Sequence, residues 1–480
     1  MTSPADDTTA PLDRQHYGIT FAVLAIAGVA YSLLQSTVAP ALPNIQEELH
    51  ASSTATAWLF TGYLLSASVL TPIIGRLGDM FGKERVLVWT LAGLCAGTLL
   101  AALANSIPLL IAARIIQGGG GAIFPLAFGI IRDEFPAEKA GQGIALISAI
   151  LGIGGGLGII LAGPIISAFD FHWLFWSPLI ALAISLVATI KFIPESPVKS
   201  PGRVDWLGAV LLSAWLVPLL VGVSQTSEWG WGDARVWGLV AISAILLAVW
   251  IRFEHRAHEP LVDMAMMRVR GVWTVNAAAF LVGAGMYSSF ILVPELTELP
   301  TSTGFGFGAS VTQAGLFLLP ATAMMMVASP IGGSLATRIG SQPILLAGCL
   351  LTTASFTLLA VAHAQAFEIY LATALMGTGI GFAFASLANL IVEAVPPEET
   401  GIATGMNTVM RSLGGSLGAQ IGASVLAGTV VASGFPTESG FTVAFLISAG
   451  ACLLAAGASL AVPRRPRGLS GATRPAMATE

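Results

Sequence analysis

Residues 75–85 read Gly75-Arg-Leu-Gly-Asp79-Met-Phe-Gly82-Lys83-Glu-Arg85, and they separate two long apolar runs of the chain. Glycine lets a chain reverse direction within a few residues, and the charged side chains favour water over a membrane interior. The stretch therefore predicts a short loop between two membrane-spanning helices. A related stretch, Gly333-Ser-Leu-Ala-Thr337-Arg-Ile-Gly340, begins 258 residues later, which indicates that this loop is duplicated.

The surrounding chain repeats at nearly the same interval. At an offset of 260 residues, the Pro, Glu and Gly residues of 136–141 fall on those of 396–401. The glycine-rich run 154–158 likewise falls on 414–418. In a membrane protein, two halves built on one plan usually enclose a central binding site.

The composition is that of a membrane protein. Hydrophobic residues make up 55% of the chain and charged residues 10%, and the mean hydropathy is +0.82, whereas a soluble domain carries roughly 25% charged residues. The runs are continuously apolar rather than alternating, which favours helices over a β-barrel. Fourteen runs, each close to the ~20 residues that cross a bilayer, predict an all-α protein with spans at 17–40, 55–75, 86–104, 107–131, 142–168, 174–194, 205–224, 234–252, 271–296, 310–332, 342–363, 367–392, 404–430 and 440–462.

The positive charges predict the orientation. Of the 21 Lys and Arg residues, 18 lie on one side of this map, Arg114 and Arg411 lie inside spans, and Arg235 lies on the other side. By the positive-inside rule, both termini of this multi-pass protein face the cytoplasm, which places it in the plasma (inner) membrane of a cell.

The sequence gives no sign of a cofactor or of a catalytic site. The three cysteines lie singly in different spans, and no zinc-like histidine pair or nucleotide-binding G-x-x-x-x-G-K-[ST] motif is found. We expect no metal, no cofactor, no nucleic-acid partner and no enzymatic activity, and we expect a monomer in the lipid bilayer.

The repeat also predicts the arrangement of the spans. An offset of 260 residues covers eight spans, and because eight is even the two halves run parallel. Two six-helix bundles need a shift of only six, so two spans are inserted between them. The predicted 6 + 2 + 6 division has a cytoplasmic tail at 1–16, a bundle at 17–200, an inserted pair at 201–255, a bundle at 256–463 and a cytoplasmic tail at 464–480.

The stretch 75–85 closely resembles the loop between helices 2 and 3 of the major facilitator superfamily. The resemblance implies the major facilitator fold and a cytoplasmic gate in which Asp79 pairs with Arg132, at the end of the fourth span. Gly75 and Gly82 would shape the turn, and Lys83 and Arg85 would hold it in the cytoplasm. Thr337 replaces the acid in the second copy, so that copy is expected to keep only the turn.

The fourth span carries Arg114-Ile-Ile-Gln117, which looks like a superfamily motif whose arginine is linked to proton transfer in exporters. An arginine at this depth costs roughly 2.5–3.5 kcal/mol on insertion scales, so a role is expected. The alternative is a structural one, in which Arg114 binds backbone carbonyls of the first span.

The fifth span approximates the superfamily's antiporter signature. The positions concerned are Gly154, Gly158, Gly163 and Pro164, but Ile159 stands where the signature has proline. This departure weakens the assignment as an antiporter.

The first span departs further from the drug:proton antiporter pattern. Its membrane-embedded acid is replaced by Leu34 or, if a gap is allowed, by Gln35. Glu295 is the alternative proton carrier, or else a solvated residue at the membrane rim.

The thirteenth span resembles that of the fourteen-helix drug exporters and includes Asn407 and Arg411. With Asn276 and Gln313, these residues are candidates for the central cavity. Arg411 could instead extend its charge to the cytoplasmic surface.

The resemblance implies a fourteen-helix drug:proton antiporter that exports small hydrophobic or amphipathic molecules by alternating access. Embedded acids are scarce and two arginines are embedded, so we expect neutral or weakly anionic substrates rather than dications. Two alternatives stay open: a substrate-specific importer or uniporter not coupled through the first span, and a membrane enzyme or sensor with a transporter-like body.

Overall fold

A computed structural model describes residues 17–51, 53–196, 205–257, 260–431 and 435–463. The two predicted tails, 1–16 and 464–480, and residues 197–204 of the predicted linker lie outside the described residues. Within the described part of the chain the regular elements are helices, without a β-strand. The prediction of an all-helical protein is confirmed.

The first half contains eight α-helices: α1 (Tyr17–Ser36), α2 (Val38–Glu48), α3 (Ser53–Phe81), α4 (Lys83–Ala102), α5 (Ile107–Gly118), α6 (Ile123–Glu134), α7 (Ala137–Ala168) and α8 (Trp173–Phe192). Three helices follow between the halves: α9 (Trp206–Ser224), the short α10 (Thr226–Trp229) and α11 (Ala234–Glu254). The second half contains α12 (Met264–Arg268), α13 (Arg270–Glu298), α14 (Val311–Phe317), α15 (Leu319–Ile339), α16 (Ser341–Val361), α17 (Ala366–Ala394), α18 (Thr400–Ala427) and α19 (Glu438–Leu460).

Thirteen stretches of the described chain are helical, long and apolar enough to cross a membrane. The predicted span at 404–430 corresponds to α18, whose 28 residues are long enough but include many Gly, Ser and Thr. Every residue of its first two turns, 400–407, is buried in protein, so this part of the helix needs no apolar face toward lipid. The count of fourteen spans therefore stays a prediction.

The predicted fourth span is a helix with a tight turn in its middle. Residues Gly119–Ala122 form a 3₁₀ turn between α5 and α6. A Cβ atom on Gly118 would lie 2.6 Å from that of Ser66, and one on Gly120 would lie 2.6 Å from the ring of Tyr31. The glycines thus let α3 and α1 pack directly on this turn.

The duplicated glycines make equivalent contacts in the two halves. In the first half, Gly154 and Gly158 of α7 pack against Ser32 and Ser36 of α1. In the second half, their repeats Gly414 and Gly418 in α18 pack against the backbone of α13, at 280 and 284. Because small residues allow close approach of membrane helices, the repeat preserves one helix–helix contact in both halves.

The helices between the halves contact both of them. α9 packs against α11, and it also contacts α3 and α18. Beyond α9, the hydroxyl of Thr226 donates to Gln420 of α18 (3.2 Å), and the indole of Trp231 donates to Ser424 (2.6 Å). α9 and α10 therefore lie along the boundary between the two halves, α11 packs against α9, and the 6 + 2 + 6 division stays a prediction.

Candidate functional site

Asp79 contacts the start of α18 across the boundary between the halves. Its Oδ1 and Oδ2 atoms accept hydrogen bonds from the backbone amides of Gly401 and Ile402, each at 3.0 Å. The side chain is fully buried. The first turn of a helix has unpaired amides and a partial positive charge, so a carboxylate is stabilised there. Asp79 thereby holds the second half to the first.

Two glycines allow α3 and α18 to come this close. A Cβ atom on Gly75 would lie 2.5 Å from the carbonyl oxygen of Gly401, and one on Gly405 would lie 2.9 Å from the Cα of Pro72. Gly75 therefore acts within α3 as a contact rather than in the turn. The turn uses Gly82, whose φ of +107° disfavours any residue with a side chain.

Arg132 binds the same segment as Asp79 from the other side. Its guanidinium donates to the Thr400 hydroxyl (2.6 Å) and to the carbonyls of Val395 (3.1 Å) and Pro396 (3.3 Å). The ion pair expected between Asp79 and Arg132 is not present in the described residues. Instead, the two side chains bind the same segment, 395–402: its carbonyls accept from Arg132, and its amides donate to Asp79.

Lys83, expected to hold the loop in the cytoplasm, has a side chain buried within the protein. Its Nζ atom lies 2.9 Å from Asp133 Oδ2, and the two side chains are 1% and 3% exposed. The hydroxyl of Ser196 also donates to Asp133. Arg85 is the exposed cation of this loop, 3.7 Å from Glu195. Sequence analysis missed Asp133 and Ser196, although an acid directly after Arg132 was a visible signal.

Arg114 makes the contacts of the structural alternative. It donates to the backbone carbonyls of Leu34 (3.1 Å) and Leu59 (3.2 Å) and to Gln117 Oε1 (2.7 Å). Its guanidinium also lies 4.1 Å from the ring centroid of Tyr63. Arg114 therefore links α5 to α1 and α3, while a role in proton transfer stays a proposal.

A central cavity lies between the halves, and Tyr63, which contacts Arg114, forms part of its wall. The first half contributes Tyr31, Gln35, Tyr63, Ser68, Thr71 and Phe124, and the second half contributes Tyr287, Thr408, Arg411 and Ser412. A second cavity shares Phe124, Leu151, Thr408 and Arg411 with the first, and Asn407 also lines it. The cavities thus meet at Arg411, on α18.

The other predicted polar residues have different positions. Gln35 donates to the Tyr287 hydroxyl at 3.4 Å, which joins the halves across the central cavity. Asn407 donates to Asn276 Oδ1 at 2.9 Å, between α18 and α13. Gln313 is exposed and accepts from the Ser310 backbone amide in the cap of α14. Glu295 is half-buried near the end of α13.

The antiporter-like glycines of α7 face two neighbours. Gly154 and Gly158 face α1, whereas Gly156 faces Thr322 of α15 and Gly163 faces Thr312 of α14. Pro164 is exposed. One helix of the first half therefore packs against its own half and the other half through different glycines.

Comparisons with known proteins identify the family. The profile of the Major Facilitator Superfamily matches residues 24–419. Multidrug resistance protein 3 of Bacillus subtilis is 29% identical over 389 residues, which cover 80% of this chain and 75% of that protein. The tetracenomycin C resistance and export protein of Streptomyces glaucescens is 31% identical over 392 residues, which cover 79% and 71%.

Solved structures confirm the fold. The human organic anion transporter MFSD10 superposes with a TM-score of 0.64 at 18% identity, covering 94% of this chain and all of that one. The proton:xylose symporter XylE superposes with a TM-score of 0.65 at 14% identity, covering 94% and 97%. The chain therefore belongs to the major facilitator superfamily and is a multi-pass membrane transporter.

Proposed function

We propose that this transporter exports small hydrophobic or amphipathic organic molecules from the cytoplasm in exchange for protons, by alternating access. The carrying observation is that α18 connects the gate to the cavity. Its first amides bind Asp79, and Thr408 and Arg411, about two to three turns along the same helix, line the central cavity. A molecule that displaces α18 from within the cavity would strain the contact at Asp79.

The relatives support the direction of transport. The names of Multidrug resistance protein 3 and of the tetracenomycin C protein refer to resistance and export. The cavity encloses only about 30 Å³ in this arrangement, so a substrate would enter when the halves move apart, and the lining then offers it aromatic rings together with hydroxyl and amide groups. We carry over export and a broad substrate range on this basis, with the plasma membrane as the location and both termini in the cytoplasm.

Proton coupling is proposed through two residues near the cavity and one carboxyl group near the end of α13. Arg114 lies against the ring of Tyr63, which forms part of the cavity wall, and Gln117 accepts a hydrogen bond from Arg114. Glu295 is the proposed proton-carrying carboxyl group, because Leu34 or, if a gap is allowed, Gln35 occupies the place of the acid in the first span. A carboxyl that is half-buried can meet both water and the protein interior.

Everted membrane vesicles test this function directly. With a proton gradient made by respiration, we expect vesicles with the protein to accumulate Nile red, a neutral probe, faster than vesicles without it. Nigericin, which collapses the pH gradient, should abolish the difference. Equal accumulation with and without the protein would contradict export of this substrate class.

A substrate-specific carrier without coupling is the second candidate, favoured by the amide of Gln35 in the cavity instead of an acid. Its signature in the same vesicles is faster equilibration without accumulation, at a rate that nigericin leaves unchanged, or transport limited to one compound in a panel. A panel of growth inhibitors, tested with and without expression of the protein, separates a transporter of many compounds from a substrate-specific carrier.

A further inference from the structure

The two embedded arginines have opposite surroundings. Arg114 uses its donors on two backbone carbonyls and on Gln117. Arg411 has no hydrogen bond and no ion pair with any described residue, and its one recorded contact is with the ring of Phe384, 4.9 Å from the guanidinium carbon. The Arg411 side chain therefore retains all of its hydrogen-bond donors, whereas Arg114 uses its Nε and Nη1 atoms and leaves only Nη2 without a partner.

An arginine with open donors inside a membrane protein is a functional group. A guanidinium carries five N–H donors in a planar fork and stays charged. Within a membrane bundle, an uncompensated charge is costly, and such residues are usually paired or line a pathway. The ring face of Phe384 offsets only part of the cost of burying the charge. A bound anion would offset the rest.

The lining around Arg411 favours an anion with an apolar body. No carboxylate is found among the described residues that line either cavity, so nothing there competes for the guanidinium. Thr408 and Ser412 offer hydroxyls beside it, while Tyr31, Tyr287 and Phe124 offer aromatic surface. A carboxylate fits a guanidinium through two parallel hydrogen bonds. A dication would meet like charge at this point.

We propose that Arg411 is the binding site for the carboxylate of monoanionic aromatic substrates, with the aromatic body held against Tyr31, Tyr287 and Phe124. That the bound molecule is also transported rests on the proposed function. The binding step itself needs no transport, only the folded protein in an arrangement in which the cavity, about 30 Å³ here, has widened. The alternatives are that Arg411 braces α18 against Phe384 or extends toward the cytoplasmic surface.

The test compares 1-pyrenebutyrate with its uncharged methyl ester, because the two share one apolar body. Equilibrium binding to the purified protein in nanodiscs should favour the carboxylate over the ester by about tenfold or more. Arg411→Gln should remove that preference while the ester binds as before, and Arg411→Lys should keep part of it. Arg338→Gln, at an exposed arginine of α15, is the matched control and should leave the preference unchanged.

The outcomes separate this inference from the exporter function. The anion site is overturned if the wild type shows no preference for the carboxylate. It is also overturned if Arg411→Gln weakens binding of both probes equally and Arg411→Lys shows no preference. Accumulation of the ester in everted vesicles measures export independently. A preference for the carboxylate without any accumulation would support the site and contradict the exporter.

Discussion

Gly75 and Gly401 lie backbone to backbone across the boundary between the two halves. A Cβ atom on Gly75 would come within 2.5 Å of the Gly401 carbonyl oxygen, and one on Gly401 would collide with the Gly75 carbonyl oxygen in turn. The hydrogen bonds of Asp79 to the amides at 401 and 402 form only because of this approach. Contact and hydrogen bonds thus belong to one closed arrangement of α3 and α18.

Gly401→Ala should impair transport more than folding. The added methyl group meets backbone, which cannot rotate away, and overpacking of this kind costs about 1–3 kcal/mol. The overpacking destabilises the closed arrangement of α3 and α18, through which alternating access has to pass. We therefore expect a clear loss of Nile red accumulation in everted vesicles. Gly93→Ala is the control, since a Cβ there has no neighbour within 4 Å. Wild-type transport by Gly401→Ala would show that the contact opens without functional consequence.

Asp79→Asn should reduce transport more than Glu84→Gln does. Asparagine can accept one amide hydrogen bond, but its own NH₂ group then faces the second amide, and the favourable charge at the start of α18 is lost. Glu84, five residues on and outside this contact, provides a matched acid in the same loop. We expect at least about a tenfold loss for Asp79→Asn, equivalent to roughly 1.4 kcal/mol. Equal, near-wild-type rates of both variants would remove Asp79 from the gate.

The motif singled out Asp79 in the sequence, but its partner could not be predicted. The partner is the backbone at 401 and 402, more than 320 residues away, and backbone amides leave no signature in the side-chain sequence. The duplicated Pro-x-Glu-x-x-Gly segments at 136–141 and 396–401 did mark the starts of α7 and α18. What decides the contact is the placement of one helix end against α3, and that depends on packing across the whole boundary.

The burial of Lys83 could not be predicted from the sequence either. It depends on Asp133 and Ser196, which come from α6 and from the segment after α8. Hydropathy ranks α18 low as a membrane span. This helix contacts α3, α13 and α17 on several sides, so it can carry Gly, Ser and Thr, which lower its mean hydropathy.

Lys83→Met should destabilise the protein strongly, because it leaves the Asp133 carboxylate buried without its cation. Breaking a buried ion pair from one side costs about 3–5 kcal/mol. The double variant Lys83→Met, Asp133→Leu removes both charges and should recover part of that loss. Thermal unfolding in detergent measures both, with Arg85→Met as the control for an exposed cation of the same loop. A double variant less stable than the single one would contradict the pairing.

Glu295→Gln should uncouple export from the proton gradient without closing the pathway. Glutamine keeps the size and polarity of the side chain but cannot release or take up a proton. We therefore expect Nile red accumulation in everted vesicles to lose its dependence on nigericin, while exchange of labelled for unlabelled substrate across the membrane continues near the wild-type rate. Glu298→Gln, one turn further along α13, is the matched control, since it changes a neighbouring carboxyl near the same helix end. If Glu295→Gln and the wild type respond equally to nigericin, Glu295 is a solvated residue at the membrane rim. The proton carrier would then have to be another titratable group, because the amide of Gln35 cannot take up a proton.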